Sequence, residues 1–61
     1  MTAPHPSIHA KVLAAAVEQF AANGFDGANM DAIARRAGVA KPTIYNHFRD
    51  KSALYLASIE Y

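Results

Sequence analysis

Two short helical segments joined through one glycine constrain the fold of this chain more than any other feature. Residues 30–37 carry apolar groups on one helical face, with Asn29 as the N-cap before them and Gly38 after them. A third helix is predicted to begin near Lys41–Pro42 and to end near Phe48, with Ile44 and Phe48, four residues apart, facing inward. Gly38 supplies the positive φ that a tight turn between helices needs. Ala34 is small enough to let the two helices approach closely. The pattern predicts a helix-turn-helix, whose crossing angle is held by apolar contacts.

The flanking sequence predicts two further helices. Ser7 is a suitable N-cap for a first helix ending at Asn23, with Gly24 as the left-handed residue that closes it. Asp50 is placed to cap a fourth helix that starts near Lys51. The inward face of the first helix should hold Val12, Leu13, Ala16, Val17 and Phe20. Because no strand pattern appears, we expect an all-α fold, a homeodomain-like three-helix bundle with a helix-turn-helix and the start of a fourth helix.

Length and composition limit the chain to one small domain. It has 61 residues and no cysteine, which excludes disulfides and thiolate metal sites. No apolar stretch is long enough to span a membrane, and residues 1–10 do not resemble a secretory signal. We expect residues 1–6 to be a flexible tail, residues 7–50 to be the helix-turn-helix domain, and residues 51–61 to begin another domain.

The expectation of a missing domain comes from the fourth helix. Its apolar residues point nearly all round it, namely Leu54, Tyr55, Leu56, Ile59 and Tyr61. A helix that is apolar on every side is normally covered on every side. The preceding 50 residues are too few to cover it, so we expect a larger body beyond this chain.

Positive charge is concentrated in one segment. The net charge is only +1, yet Ala32 to Arg49 holds no acidic residue and includes Arg35, Arg36, Lys41 and Arg49. Such a patch can face phosphate, whose charge dominates protein–DNA affinity. The alternative is an ordinary solvated basic face.

The outward face of the third helix favours DNA binding. With Ile44 inward, the exposed positions are Pro42, Thr43, Tyr45 and Asn46, with His47 at the margin and Lys41 just before them. Thr, Asn and Lys can contact base edges or phosphates, and a Tyr hydroxyl can reach a phosphate. The alternative is a solvated helix of a small bundle without a DNA role.

Residues typical of catalysis or metal binding form no convincing set. His5 and His9 are four apart, but Pro6 breaks the helix that would align them, so we interpret both as tail histidines. His47 has no partner at ligand spacing, and the three glycines lie at helix ends or turns rather than in a phosphate-binding loop. We therefore expect no metal, no cofactor and no enzymatic activity.

Beyond these patterns, the sequence resembles the TetR (tetracycline-repressor) family of transcriptional regulators. The resemblance covers about residues 11–57 and is carried by VLAAAVEQFAANGFDGAN and by MDAIARRAGVAKPTIYNHFRDKSALY. The specificity comes from several short pieces together, in this order and at this spacing: Ile33-Ala34, Ala37-Gly38-Val39, Thr43-Ile44-Tyr45, His47-Phe48 and Lys51-Ser52-Ala53-Leu54.

The resemblance implies a role for each site residue. Lys41, Pro42 and Thr43 would lie nearest the bases, and Asn46 occupies a variable position that would tune specificity. The phosphate contacts would come from the helix starts and from the recognition helix, namely Asn29, Tyr45, His47 and Lys51. Two departures affect helix ends: Ala40 stands where a Ser often caps the third helix, and Ala32 where an acid often completes a capping box.

The resemblance also implies partners. The domain would bind a palindromic operator in double-stranded DNA, and the missing domain would form a homodimer and bind a small-molecule effector that releases DNA. The protein would be a cytoplasmic repressor in bacteria, associated with the nucleoid when bound. Two rivals remain: a helical protein-interaction module that never meets DNA, and a nucleoid-type protein that binds DNA without sequence preference.

Overall fold

The structure, a computed structural model, describes residues 7–60. It has four helices in this range, α1 (Ile8–Gly27), α2 (Met30–Ala37), α3 (Lys41–His47) and α4 (Lys51–Glu60), and no strand. The predicted all-α class, with a helix-turn-helix bundle and the beginning of a fourth helix, is confirmed. The tail expected at residues 1–6 and the contribution of Tyr61 lie outside the described residues.

Helix α1 begins directly after Ser7, the residue predicted to be its N-cap. The Ser7 hydroxyl accepts a hydrogen bond from the Ala10 amide at 3.1 Å. Four of the five residues expected on the inward face are buried, but the expectation for Val17 is wrong, since it is 37% exposed. Val17 lines a shallow cavity between α1 and α4, together with Tyr55 and Ile59. Because this cavity is open to solvent, the Val17 side chain remains accessible to water.

The end of α1 differs from the prediction. Gly24 does adopt a positive φ, of 74°, but its ψ of 174° is extended rather than left-handed helical. One more helical turn follows it as far as Gly27, and the Ala28 amide donates to the Gly24 carbonyl at 3.1 Å. This redirected turn returns Phe25 to the domain, where its ring stacks on Phe20 at 6.0 Å between centroids. The helix therefore kinks at Gly24 instead of ending there.

Helix α2 and the turn after it follow the predicted signals closely. The Asn29 side chain accepts from the Ala32 amide at 2.7 Å. Gly38 ends the helix in the left-handed region, with φ 75° and ψ 31°. The Val39 amide then donates back to the Ala34 carbonyl at 3.0 Å, so the turn satisfies a carbonyl at the helix end.

The two remaining helices also begin at the predicted residues. Pro42 lies in the first turn of α3, while Ala40 at the N-cap position makes no side-chain cap bond. Asp50 caps α4 by accepting from the Ala53 amide at 2.9 Å.

The core lies where α1 packs against α2 and α4, with α3 attached mainly through α2. Each helix contributes one of its large, fully buried side chains, namely Val12, Ile33, Ile44 and Leu54. On α4, only Leu54 is buried, whereas Leu56 and Ile59 are 61% and 64% exposed. Helix α3 contributes Ile44 to this core, so one face of α3 packs on the bundle and the opposite face is open to solvent.

Candidate nucleic-acid interface

The open face of α3 carries the residues predicted to bind DNA. Ile44 is fully buried and Phe48, just past the helix, is nearly so. This anchoring turns the other side outward: Lys41, Pro42, Tyr45, Asn46 and His47 are exposed and Thr43 is partly exposed. Six predicted site residues therefore share one helix and one solvent-facing surface. We refer to these six residues as the α3 face.

The first residue of the α3 face has a partner on α2. The Lys41 ammonium lies 3.2 Å from a carboxylate oxygen of Asp31, in the first turn of α2. The acid-free segment starts one residue after Asp31, so sequence analysis missed this pair. Opposite charges on either side of the turn are the only signal for it in the sequence. The contact places a carboxylate beside the predicted DNA-binding surface.

A second ion pair involves one of the four positive charges between Ala32 and Arg49. The Arg36 guanidinium donates a hydrogen bond to the Glu18 carboxylate on α1, and both side chains are exposed. That hydrogen bond, helped by the attraction of opposite charges, lowers the pKa of Glu18 and raises the pKa of Arg36. Arg36 is therefore neutralised from α1, and the local positive excess inferred from the segment alone is smaller than expected.

Lys51, the predicted clamp at the start of α4, is held against an aromatic cluster. Its ammonium lies 4.6 Å from the centroid of the Phe25 ring, and the side chain is partly buried. Tyr55 packs edge-on against Phe25 at 5.2 Å and against Phe20 at 4.9 Å. A cation over an aromatic face gains about 0.5–1 kcal/mol at an exposed site. The contact thus favours a position of the Lys51 charge over the Phe25 ring, at the edge of this cluster.

Asn29 belongs to another element than the α3 face, since it is the N-cap of α2, two residues before Asp31. Its side-chain oxygen is occupied by the cap bond to Ala32. The amide nitrogen keeps its donor hydrogens, which are the groups a phosphate would use. The prediction that Asn29 caps the helix is confirmed, and its role toward phosphate stays a prediction.

One functional candidate was misplaced by sequence analysis. His9 is not a tail histidine but lies in the first turn of α1, where its ring stacks on Phe48 at 4.7 Å between centroids. The His47 ring is 5.9 Å away. The Ser7 cap already implied that His9 is helical, but nothing local indicated which helix it meets. His5 lies outside the described residues, and within residues 7–60 no group of three potential metal ligands occurs.

Comparison with known sequences gives a consistent result. The profile of the family described as bacterial regulatory proteins, tetR family, matches residues 12–58. The chain is 46% identical over 57 residues to the HTH-type transcriptional activator FasR of Mycolicibacterium smegmatis, covering 93% of this chain and 26% of FasR. It is 32% identical over 50 residues to IcaR of Staphylococcus aureus, a negative transcriptional regulator of a biofilm operon, covering 82% of this chain and 27% of IcaR.

A solved structure shares the fold. A TetR-like transcriptional regulator from Rhodococcus sp. RHA1 superimposes with a TM-score of 0.85 at 36% identity, over 97% of this chain and 32% of that one. The chain thus spans about a quarter to a third of the length of these relatives. Among residues 7–60, no helix is both long and apolar enough to cross a bilayer.

Proposed function

This chain belongs to the tetR family of bacterial regulatory proteins and carries that family's DNA-binding domain, and on this premise we propose that it binds a specific operator through the α3 face. The observation that carries the proposal is the anchoring of α3 by Ile44 and Phe48, which leaves five polar, cationic or aromatic side chains, together with Pro42, on one open surface. A helix with such a face fits the major groove of B-DNA, which is about 12 Å wide.

The side chains of the α3 face divide by chemistry. Lys41, Pro42 and Thr43 form the amino end of the helix and enter the groove first, with Asn46 one turn further along. Lys and Asn donate to purine acceptors, and the Thr methyl packs on a thymine methyl. These residues are proposed to distinguish sequences.

The remaining site residues are proposed to hold the DNA backbone. Tyr45 and His47 lie toward the carboxyl end of α3 and are exposed. Lys51 sits at the start of α4, where its charge adds to the positive end of the helix dipole. Asn29 offers its amide at the start of α2. Contacts of this kind set the register on the duplex and carry no sequence information directly.

The wider protein is proposed to be a ligand-responsive dimer. The relatives are about four times as long as this chain, which leaves room for an additional domain that dimerises and binds a small effector. Exposed Leu56 and Ile59 on α4 would pack against that domain. Two symmetric copies would require a palindromic site, and effector binding would change the spacing of the two α3 helices and release DNA.

Repression is the proposed mode, in the bacterial cytoplasm and on the nucleoid when bound to DNA. The relatives include both signs of regulation, since FasR is described as an activator and IcaR as a negative regulator. Both are named transcription regulators rather than enzymes. Transcription from a promoter that carries the recovered site, with and without the protein, would decide the sign.

Selection of DNA from a random pool by the complete gene product tests the proposal. Recovery of a palindrome with half-sites about one helical turn or more apart supports a dimeric, sequence-specific regulator. Recovery of DNA without a common sequence indicates the nucleoid-type alternative. If a folded protein retains no DNA, the protein-interaction alternative is correct. Binding to the recovered site should weaken steeply with salt, because phosphate contacts release counterions.

A further inference from the structure

The ring of His9 connects the beginning of α1 to the end of α3. It stacks on Phe48 with centroids 4.7 Å apart and ring planes 29° apart. Phe48 is almost fully buried, so it offers His9 a rigid platform. His9 itself stays exposed, and its imidazole therefore covers the outer surface of the core while its edge faces solvent.

The same stacking brings His9 beside a residue of the α3 face. The rings of His9 and His47 have centroids 5.9 Å apart with planes 60° apart, and both residues are exposed. Within residues 7–60, the hydrogen bonds of the structure use neither imidazole. Each ring carries at least one N–H donor in either neutral tautomer. Two imidazoles from different helices thus lie side by side on the surface.

A phosphate group matches this pair. Two hydrogen bonds of about 2.9 Å each, with one phosphate between them, span rings at this separation. Phosphate strands border the groove that a recognition helix enters, so a residue at the margin of the α3 face lies next to the DNA backbone.

We propose that His9 is an additional DNA-backbone contact, and that His9 and His47 hold the same phosphate of the bound duplex. This inference rests on the proposed function of the α3 face. Stacking on Phe48 limits the rotation of the His9 ring before binding, so little side-chain entropy is lost when the contact forms. The contact is independent of base sequence and would act on operator and unrelated DNA alike.

The test compares His9→Phe with the wild type in the complete gene product. The Phe ring keeps the stack on Phe48 but has no donor. Fluorescence anisotropy is measured with a labelled duplex carrying the recovered operator and with an unrelated duplex of equal length. We expect affinity to fall about tenfold on both duplexes, the loss of one hydrogen bond to a charged group, with an unchanged melting temperature. Lys11→Ala is the matched control on α1, because Lys11 lines a shallow cavity with Glu18 and Arg36 instead.

Two further measurements distinguish a phosphate shared by His9 and His47 from a purely structural role of His9 on Phe48. If one phosphate is shared, the double variant His9→Phe, His47→Phe loses less affinity than the product of the two single losses. A neutral methylphosphonate is also placed at each backbone position in turn. Neutralising one position should weaken the wild type more than it weakens His9→Phe, in which only His47 still contacts that phosphate, and this readout holds even if the variant is less stable.

Three other outcomes would each contradict one part of the proposal: the His9 contact, the sharing of one phosphate, or DNA binding itself. Unchanged affinity of His9→Phe would show that His9 only packs on Phe48. Independent losses in the double variant would mean that the two residues hold different phosphates. Failure of the wild type to bind either duplex would remove the proposed function as well, whereas normal wild-type binding with an indifferent His9 removes this inference alone.

Discussion

The Lys41 ammonium lies 3.2 Å from the Asp31 carboxylate and ties the first residue of α3 to the first turn of α2. Both side chains remain largely exposed, so the pair contributes little to folding, typically about 0–1 kcal/mol. The importance of the pair lies in where it places the two charges. The contact draws the Lys41 ammonium toward α2 and places a negative charge beside the proposed DNA surface.

Replacing Asp31 with Asn should therefore strengthen DNA binding and weaken discrimination. The variant removes one charge that repels phosphate and frees Lys41 to bind the backbone. We expect unrelated duplex to gain about three- to tenfold in affinity, since one extra phosphate contact is worth about 1 kcal/mol in salt-dependent binding. The operator should gain less. Anisotropy titrations at two salt concentrations measure both.

Glu60→Gln is the control for Asp31→Asn, because it removes one negative charge at the far end of α4. It should leave both affinities nearly unchanged. Equal gains in the two variants would mean that net charge, rather than the contact with Lys41, is responsible.

Substitutions on the α3 face should separate specificity from general affinity. Lys41→Ala and Thr43→Ala should change which sequence is recovered, at about 1–3 kcal/mol for a lost base contact. Tyr45→Ala and Lys51→Ala should weaken binding to all sequences similarly, because their proposed contacts are phosphates. Selection and sequencing with each variant measures the first effect, and titration of two unrelated duplexes measures the second.

Lys51 also touches Phe25, so its variant needs a matched partner. Lys51→Met keeps the aliphatic stem over the ring and removes only the charge. Equal loss of binding in Lys51→Met and Lys51→Ala would assign the effect to charge. Unchanged affinity in all four alanine variants would contradict the docking arrangement.

Gly38→Ala should destabilise the domain through its backbone alone. A Cβ at Gly38 would meet no atom within 4 Å, yet φ is 75°. The left-handed conformation costs a side chain about 1–2 kcal/mol. For a domain of this size the melting temperature should fall by roughly 4–8 °C per kcal/mol, as followed by circular dichroism.

Gly27→Ala is the natural comparison for Gly38→Ala. Its added Cβ would lie 3.2 Å from the Cβ of Asn23, a tight contact on the exposed side of the helix, and no positive φ is involved. Alanine also favours helix over glycine. The melting temperature should change much less than in Gly38→Ala, and a similar loss in both would place the cost in crowding instead.

Leu54 and Leu56 should respond differently to alanine although they are two residues apart. Leu54 is fully buried, and Leu54→Ala should cost about 2–5 kcal/mol, a large part of the roughly 3–9 kcal/mol available to a domain this small. Leu56 is 61% exposed, so Leu56→Ala should stay within about 0.5 kcal/mol in the 61-residue chain. Urea unfolding measures both.

The complete gene product provides the second half of that experiment. If α4 packs against a further domain, Leu56→Ala should cost more there than in the 61-residue chain, by more than about 1 kcal/mol. An equally small effect in both proteins would contradict the proposed contact between α4 and another domain.

The Glu18–Arg36 pair should make stability depend on acid pH. The hydrogen bond from Arg36 holds the pKa of Glu18 below its ordinary value of 4.5 in the folded protein. The unfolded chain then binds the proton first, so the stabilisation is fully present above that value and is lost as the pH falls through the lower folded pKa. Glu18→Gln should lower the melting temperature slightly at neutral pH and converge with the wild type in acid.

Salt should reduce the Glu18→Gln difference at neutral pH, because both side chains are exposed and screened. Melting curves between neutral and strongly acid pH at low and high salt provide the check. A difference that grows on acidification would have the wrong sign for this pair.

Most of the fold could be predicted because its signals are local. The caps at Ser7, Asn29 and Asp50 each act on an amide three residues away, and the structure contains all three bonds. Gly38 has the left-handed conformation expected of it. Gly24 is the instructive exception: its positive φ was predictable, but whether the helix resumes after it depends on how Phe25 packs against Phe20.

The candidate site was predictable only in part. The order of residues along α3, together with the buried Ile44, determines which side chains share its outer face, since helical periodicity converts spacing into direction. Sequence reasoning missed Asp31 beside Lys41 and placed His9 in a tail. Both errors concern residues that meet across different helices, at sequence distances where no local pattern applies.

The sequence by itself determined the helices, their caps, the turn at Gly38 and the membership of the α3 face, because each depends on interactions within a few residues of the chain. Tertiary structure alone decided the partners of the charged and aromatic groups: Asp31 with Lys41, Glu18 with Arg36, Lys51 with Phe25, and His9 with Phe48 and His47. These pairs depend on how the four helices cross around a shared core. That crossing follows from the packing of Val12, Ile33, Ile44 and Leu54 together, which no single segment specifies.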